Sequence, residues 1–126
     1  MNIEPFANKL EADGVGVVGT DIFLYRLPDR VVEGIVFVQP LSGAKIDHEL
    51  VNYYRSKFQV IIRAKRFETG LTLTESVVQS LTAYDVDLDN YKVKYVRPRT
   101  EYVSYPVSEG NHIEFSLNFE TAFVKT

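Results

Sequence analysis

The sequence predicts an α+β domain: a mostly antiparallel sheet of about five strands with two helices packed on one face, in the order α-β-β-β-α-β-β. Two observations carry this. The last strand shows the clearest alternation, with Ile113, Phe115, Leu117, Phe119 and Phe123 on one face against Glu114, Ser116, Asn118 and Glu120, which is the period of a half-buried strand. Two other segments repeat apolar residues at helical spacing, one beginning at Ile3 and one at Leu73. Eight Tyr and eight Phe add to the strand tendency. The length of 126 residues suits one domain, 1–126, able to bury a sizeable core.

The first helix places Ile3, Phe6, Ala7 and Leu10 on one side, with Asn2 as N-cap and Gly14 and Gly16 ending it. Thr20–Leu27 reads as a strand, closed by the turn Leu27-Pro28-Asp29. Glu33–Val38 reads as a second strand, apolar on both faces and stopped by Pro40. A loop, Leu41–His48, leads through Leu50–Tyr54 into a third strand, Lys57–Lys65. On it Phe58, Val60, Ile62 and Ala64 share one face, and Gln59, Ile61, Arg63 and Lys65 the other.

A capping box, Thr72-x-x-Glu75, predicts the start of the second helix, Thr72–Tyr84, whose Leu73, Val77 and Leu81 fall in one row. Asp85–Asn90 is expected as its exit loop. Tyr91–Arg97 follows as a strand, and its far end is placed at a sheet edge because Pro98 removes a ladder donor. Tyr102–Asn111 reads as a turn region before the final strand.

Composition closes off several kinds of chemistry. Without Cys there is no disulfide, thiolate metal site or Cys nucleophile. A net charge of −3 argues against a general basic surface for nucleic acid. The start, Met1-Asn2-Ile3-Glu4-Pro5, lacks the basic region and apolar run of a signal peptide, and no apolar stretch approaches the roughly 20 residues of a membrane span. Synthesis in the cytoplasm is expected, with no membrane partner and no cofactor.

Three motifs look chemical. Gly14-Val15-Gly16-Val17-Val18-Gly19 matches the dinucleotide fingerprint G-x-G-x-x-G, but that needs a strand before and a helix after, the reverse of the order here. Asp85-Val86-Asp87-Leu88-Asp89-Asn90 begins like a calcium loop, yet Val96 stands where the bidentate Glu belongs. His48 and His112, each with acidic neighbours, could be drawn with a carboxylate as a metal site, but both fall in loops or strand edges. No Ser occupies a G-x-S-x-G elbow, and no pair of carboxylates is singled out for acid/base work. No catalytic or metal-binding residue is assigned, and the chain is not expected to be an enzyme.

The basic residues are more informative. Arg63, Lys65 and Arg66 cluster at one strand end, and Lys92, Lys94, Arg97 and Arg99 run along another. Acidic residues gather elsewhere, at Glu11, Asp13 and Asp21, at Asp47 and Glu49, and at Asp85, Asp87 and Asp89. Separated patches of opposite sign permit head-to-tail association into a ring. Taken alone, they are better explained as an ordinary mixed and solvated surface.

Leu27-Pro28, then Phe58-Gln59-Val60-Ile61-Ile62-Arg63, then the helix through Leu81, then Phe115-Ser116-Leu117-Asn118-Phe119 follow one another in a pattern that resembles tailed-phage tail terminator proteins, also filed as minor capsid or tail completion proteins. It spans most of residues 20–120 and is an ordering of packing elements without a catalytic signature. The resemblance implies a virion structural protein, made in the host cytoplasm and assembling as a homohexameric ring. The ring would cap the tail tube and meet the head connector or head-completion protein, with DNA passing non-specifically through its lumen. Arg63, Lys65, Arg66, Arg97 and Arg99 are the residues expected at subunit or lumen contacts. A different neck or head-closure protein is the nearest alternative. A small-ligand-binding or enzymatic α+β domain is a further one, which would require a deep pocket between sheet and helices.

Overall fold

A computed structural model describes residues 1–28, 31–39, 43–106 and 112–126. Its elements are α1 (Glu4–Ala12), β1 (Ile22–Leu24), β2 (Gly34–Val38), β3 (Lys45–Ile46), β4 (Tyr53–Ala64), α2 (Phe67–Leu81), β5 (Ala83–Leu88), β6 (Tyr91–Pro98), β7 (Val103–Pro106) and β8 (Ile113–Lys125). The α+β class and the two helices are as expected. Among the described residues the sheet has eight strands rather than about five, in the order β1-β2-β4-β8-β6-β5, with β3 beside β4 and β7 beside β8. Every pairing between these strands is antiparallel except β1 with β2.

The spine is the β4–β8 ladder, twelve pairs from Tyr53↔Val124 to Ala64↔Ile113. Residues opposite each other share a face, so Phe58, Val60 and Ile62 stand with Phe119, Leu117 and Phe115. Phe6 of α1 packs on Phe58 with ring centroids 4.9 Å apart, and Phe67 of α2 on Phe115 at 5.4 Å, which puts both helices on this one face. The other face of the spine carries Gln59, Ile61, Arg63, Ser116 and Asn118, and neither helix covers it.

Three expected loops are corrected. Asp85–Asn90 is not an exit loop: Asp85 to Leu88 belong to β5, and only Asp89 and Asn90 form the turn into β6. Val86 and Leu88 are half-buried against the core while Asp85 and Asp87 are exposed, so a strand satisfies both the apolar and the acidic residues. Within Leu41–His48, Lys45–Ile46 pairs with β4, which itself begins at Tyr53 instead of Lys57. Within Tyr102–Asn111, Val103–Pro106 pairs with β8, and residues 107–111 lie outside the described residues. β6 is flanked by β5 and β8 along most of its length, but β5 reaches only to Val96, so at its Pro98 end the strand has a neighbour on one side alone, the edge that the proline predicts.

Element ends also shift. The first strand shrinks from Thr20–Leu27 to Ile22–Leu24, followed by Tyr25 at φ 71°. The ends placed at Asp29 and Pro40 fall outside the described residues. Asn2 is not the N-cap of α1, a position held by Ile3, although its side chain still accepts the Glu4 N–H at 3.0 Å. The second helix begins five residues before the capping box, at Phe67, and ends at Leu81. Thr72 is therefore interior, its hydroxyl donating to the Glu68 carbonyl at 3.0 Å. Anchoring by Phe67 on Phe115 outweighs the local capping signal.

A bulge in β6 shifts the register to β8 between Val93 and Tyr95. Val93 and Val96, three residues apart, both reach the core as a result.

Candidate assembly surfaces

Between helices and sheet there is little room for a ligand. Phe6, Phe37, Phe58, Phe115, Phe119 and Phe123 are fully buried there, together with Leu10, Ile62, Val77 and Leu81.

The chemical decoys resolve into local structure. At Gly14–Gly19 the backbone N–H of Val17 donates to Asp21 Oδ2 at 3.2 Å and that of Val18 to Glu11 Oε1 at 3.1 Å. The donors a phosphate would need are thus spent on the chain's own carboxylates. Asp85 and Asp87 lie within β5 and are exposed, Asp85 at φ 53°, instead of wrapping around a cation. His48, beyond the Tyr53 end of β4, and His112, before Ile113 of β8, lie at opposite ends of a ladder roughly 35–40 Å long, so they form no common site. Among the described residues no group of three or more His, Asp or Glu is placed to hold a metal.

The uncovered face is built from cross-strand polar pairs. Arg63, opposite Glu114, donates through Nε and reaches through Nη2, both at 3.0 Å from Oε2. Its Nη1 also donates to the Val31 carbonyl at 3.3 Å. Gln59 Nε2 donates to Ser116 Oγ at 2.7 Å. Arg97 donates to Glu120 at 2.8 Å, with its guanidinium 4.1 Å from the Tyr95 ring centre; the hydrogen bond to Glu120 raises its already high pKa. Burial, and then Glu114, push the Tyr105 hydroxyl above its ordinary value.

The five predicted contact residues do not form one patch. Glu114 and Glu120, which hold Arg63 and Arg97, are six residues apart on β8, a span of roughly 20 Å. Lys65 and Arg66 are exposed in the connection to α2, and Arg66 occupies the N-cap position without capping it. Two cations there oppose the helix dipole, an arrangement that folding does not call for. Arg99 is exposed beyond β6, its N–H donating to the Asn118 carbonyl at 2.7 Å.

Sequence reasoning missed three features. Lys45, Arg55 and Lys57 join Tyr95 and Glu120 around a shallow depression on the uncovered face. Continuing the alternation of Arg63, Ile61 and Gln59 backward would have reached Lys57 and Arg55. The hairpin between β3 and β4 presents Leu50 and Val51 to solvent, Val51 at 85 % exposure. An open groove of about 910 Å³ lies between α2 and the segment joining β6 to β7. No local pattern marks either of the last two.

Among the described residues no helix is long and apolar enough to cross a membrane. No curated protein compared with the chain matches it. A solved chain from the virion of a native gene transfer agent particle has a similar fold, with a TM-score of 0.70, 12% identity, and coverage of 94% of this chain and 91% of that one. The model of a family described as bacteriophage tail terminator protein matches residues 9–125. The chain belongs to the bacteriophage tail terminator family, a family of virion structural proteins.

Proposed function

We propose that this protein is the subunit of a ring that caps the finished tail tube and offers its opposite side to the head connector. The family match over residues 9–125 carries the reading. The surface is compatible with it. The sheet is open, and β7, exposed along its whole length, has no charged residue from Val103 to Pro106. Edge strands without charges are prone to pair or pack with another chain. The outer strand β5, by contrast, carries Asp85 and Asp87.

Work of this kind is done by surfaces. In the proposed ring Lys65, Arg66 and Arg99 contact a neighbouring subunit or the DNA in the lumen, touching phosphates without reading sequence. Arg63 and Arg97 are held by Glu114 and Glu120, and their first role is to brace the sheet.

Light scattering across a concentration series, with negative-stain microscopy of the protein mixed with purified tail tubes, tests the proposal. A ring in solution, or one that forms on the tube end, is expected. A strict monomer that ignores tubes overturns it. The position of the protein in a virion reconstruction separates a terminator from a head-closure component.

A further inference from the structure

The groove beside α2 holds a polar atom with nothing to bond. Thr74 is 1 % exposed, and among the described residues its hydroxyl has no hydrogen-bond partner. Four other hydroxyls of this helix and its end are satisfied: Thr72, Ser76 and Thr82 donate to carbonyls one turn back, and Ser80 donates to Asp13 of the α1 end. A buried unpaired hydroxyl is costly, so one bordering an open groove points to an occupant that supplies the missing partner. Val78, Leu117 and Tyr102 give the groove an apolar lining, and Arg99 and Glu101 give its rim both charges.

A matching shape exists elsewhere on the same chain. The turn between β3 and β4 is fixed by its own hydrogen bonds. The Asp47 carboxylate accepts the N–H groups of Leu50 and Glu49, which hold it below the usual Asp pKa. The Asp47 N–H donates to the Tyr53 carbonyl at 3.0 Å, and Asn52 takes φ 59° to close the turn. A rigid turn carrying exposed Leu50 and Val51 is an ordered apolar anchor, of the sort that loses little entropy on docking. Glu49 beside them complements Arg99 of the groove rim.

Topology forbids the anchor from filling its own groove. The β3–β4 turn lies on the β2 side of the β4–β8 spine, and the groove lies on the β6 side. Two unlike, complementary surfaces on opposite sides of one sheet form a heterologous contact, which closes into a ring or runs on as a filament.

We propose that Leu50 and Val51 of one copy seat in the groove between α2 and residues 99–102 of the next copy, where the Thr74 side chain turns its sealed hydroxyl out to an acceptor on the turn's backbone. This rests on the ring reading and names its subunit contact.

Complementary variants test it. Leu50→Asp with Val51→Asp spoils the anchor, and Gln79→Trp fills the groove; all three positions are exposed, and circular dichroism checks that each variant folds. Each variant alone should stay monomeric at concentrations where the wild type assembles. An equimolar mixture should give a 1:1 heterodimer and nothing larger, because one intact anchor and one intact groove remain. Thr74→Val should raise the melting temperature of the monomer yet weaken assembly about threefold to tenfold, the size of one lost hydrogen bond.

If the wild type forms rings and either spoiled variant does too, or the mixture stays monomeric, this contact is wrong and the ring reading stands. If the wild type forms no ring, alone or on tail tubes, both fail.

Discussion

Gly70 lies against the ring of Phe115 so closely that a β-carbon there would overlap the ring's Cδ1 and Cε1 atoms. Phe115 has little room to yield, since Phe67 and Tyr102 pack on it at 5.4 and 5.6 Å. Gly in a helix interior costs about 1 kcal/mol against Ala, and overpacking a core costs about 1–3 kcal/mol. Gly70→Ala should therefore destabilise the protein by about 1–2 kcal/mol in urea denaturation. A stabilised variant would mean that α2 can lift off the sheet at no cost.

Phe58 is the centre of an aromatic stack, with Phe6 at 4.9 Å, Phe119 at 5.3 Å and Phe37 at 5.9 Å. It joins α1, β2 and β8 at one point. Phe58→Ala should cost about 3–5 kcal/mol, a large part of the about 5–15 kcal/mol typical of a domain. A loss below about 2 kcal/mol would show that the neighbouring rings collapse into the space.

Thr72 looks like a helix cap and is not one. Thr72→Ala should change stability by no more than about 0.5 kcal/mol, where loss of a true N-cap costs about 1 kcal/mol. The converse concerns Arg66, which holds the N-cap position without a side-chain bond. Arg66→Asp should stabilise the monomer by about 0.5–1 kcal/mol. If Arg66 serves assembly, the same variant assembles less well than wild type, and light scattering reads the two effects apart.

Asp13 ties the helices together, accepting from Lys9 Nζ at 2.7 Å and Ser80 Oγ at 2.6 Å. The hydrogen bond from Lys9, then that from Ser80, lower its pKa below 3.8. A carboxylate whose folded pKa is depressed contributes stability above its unfolded pKa and loses it as pH falls through the folded value. Chemical denaturation from pH 6 to pH 2 should show wild type and Asp13→Asn converging below about pH 4. Because the carboxylate is largely exposed, the gap at neutral pH should be under about 1 kcal/mol. A gap that persists unchanged at pH 2 would assign the effect to packing.

Much of the core was legible. The alternation in Phe58–Ala64 and Ile113–Phe119 named the buried face, and β4 and β8 bury those residues against each other. The second helix was found by Leu73, Val77 and Leu81, although its start was misplaced by a capping pattern that the fold does not use. β5 was misread because Asp85, Asp87 and Asp89 suggested a cation loop, which hid the half-buried positions Val86 and Leu88. β3 and β7 are two and four residues long and acquire strand geometry only from β4 and β8.

Residue order alone determined which side chains are apolar, at what period, and hence which face of each element seeks the core; it also carried the family pattern. Tertiary structure decided which short segments become strands and which cations are engaged, because a ladder bond or an ion pair needs a partner far along the chain. Glu114 lies 51 residues from Arg63, and no local pattern brings them together. The same long-range folding placed an exposed apolar turn and an open groove on opposite sides of one sheet.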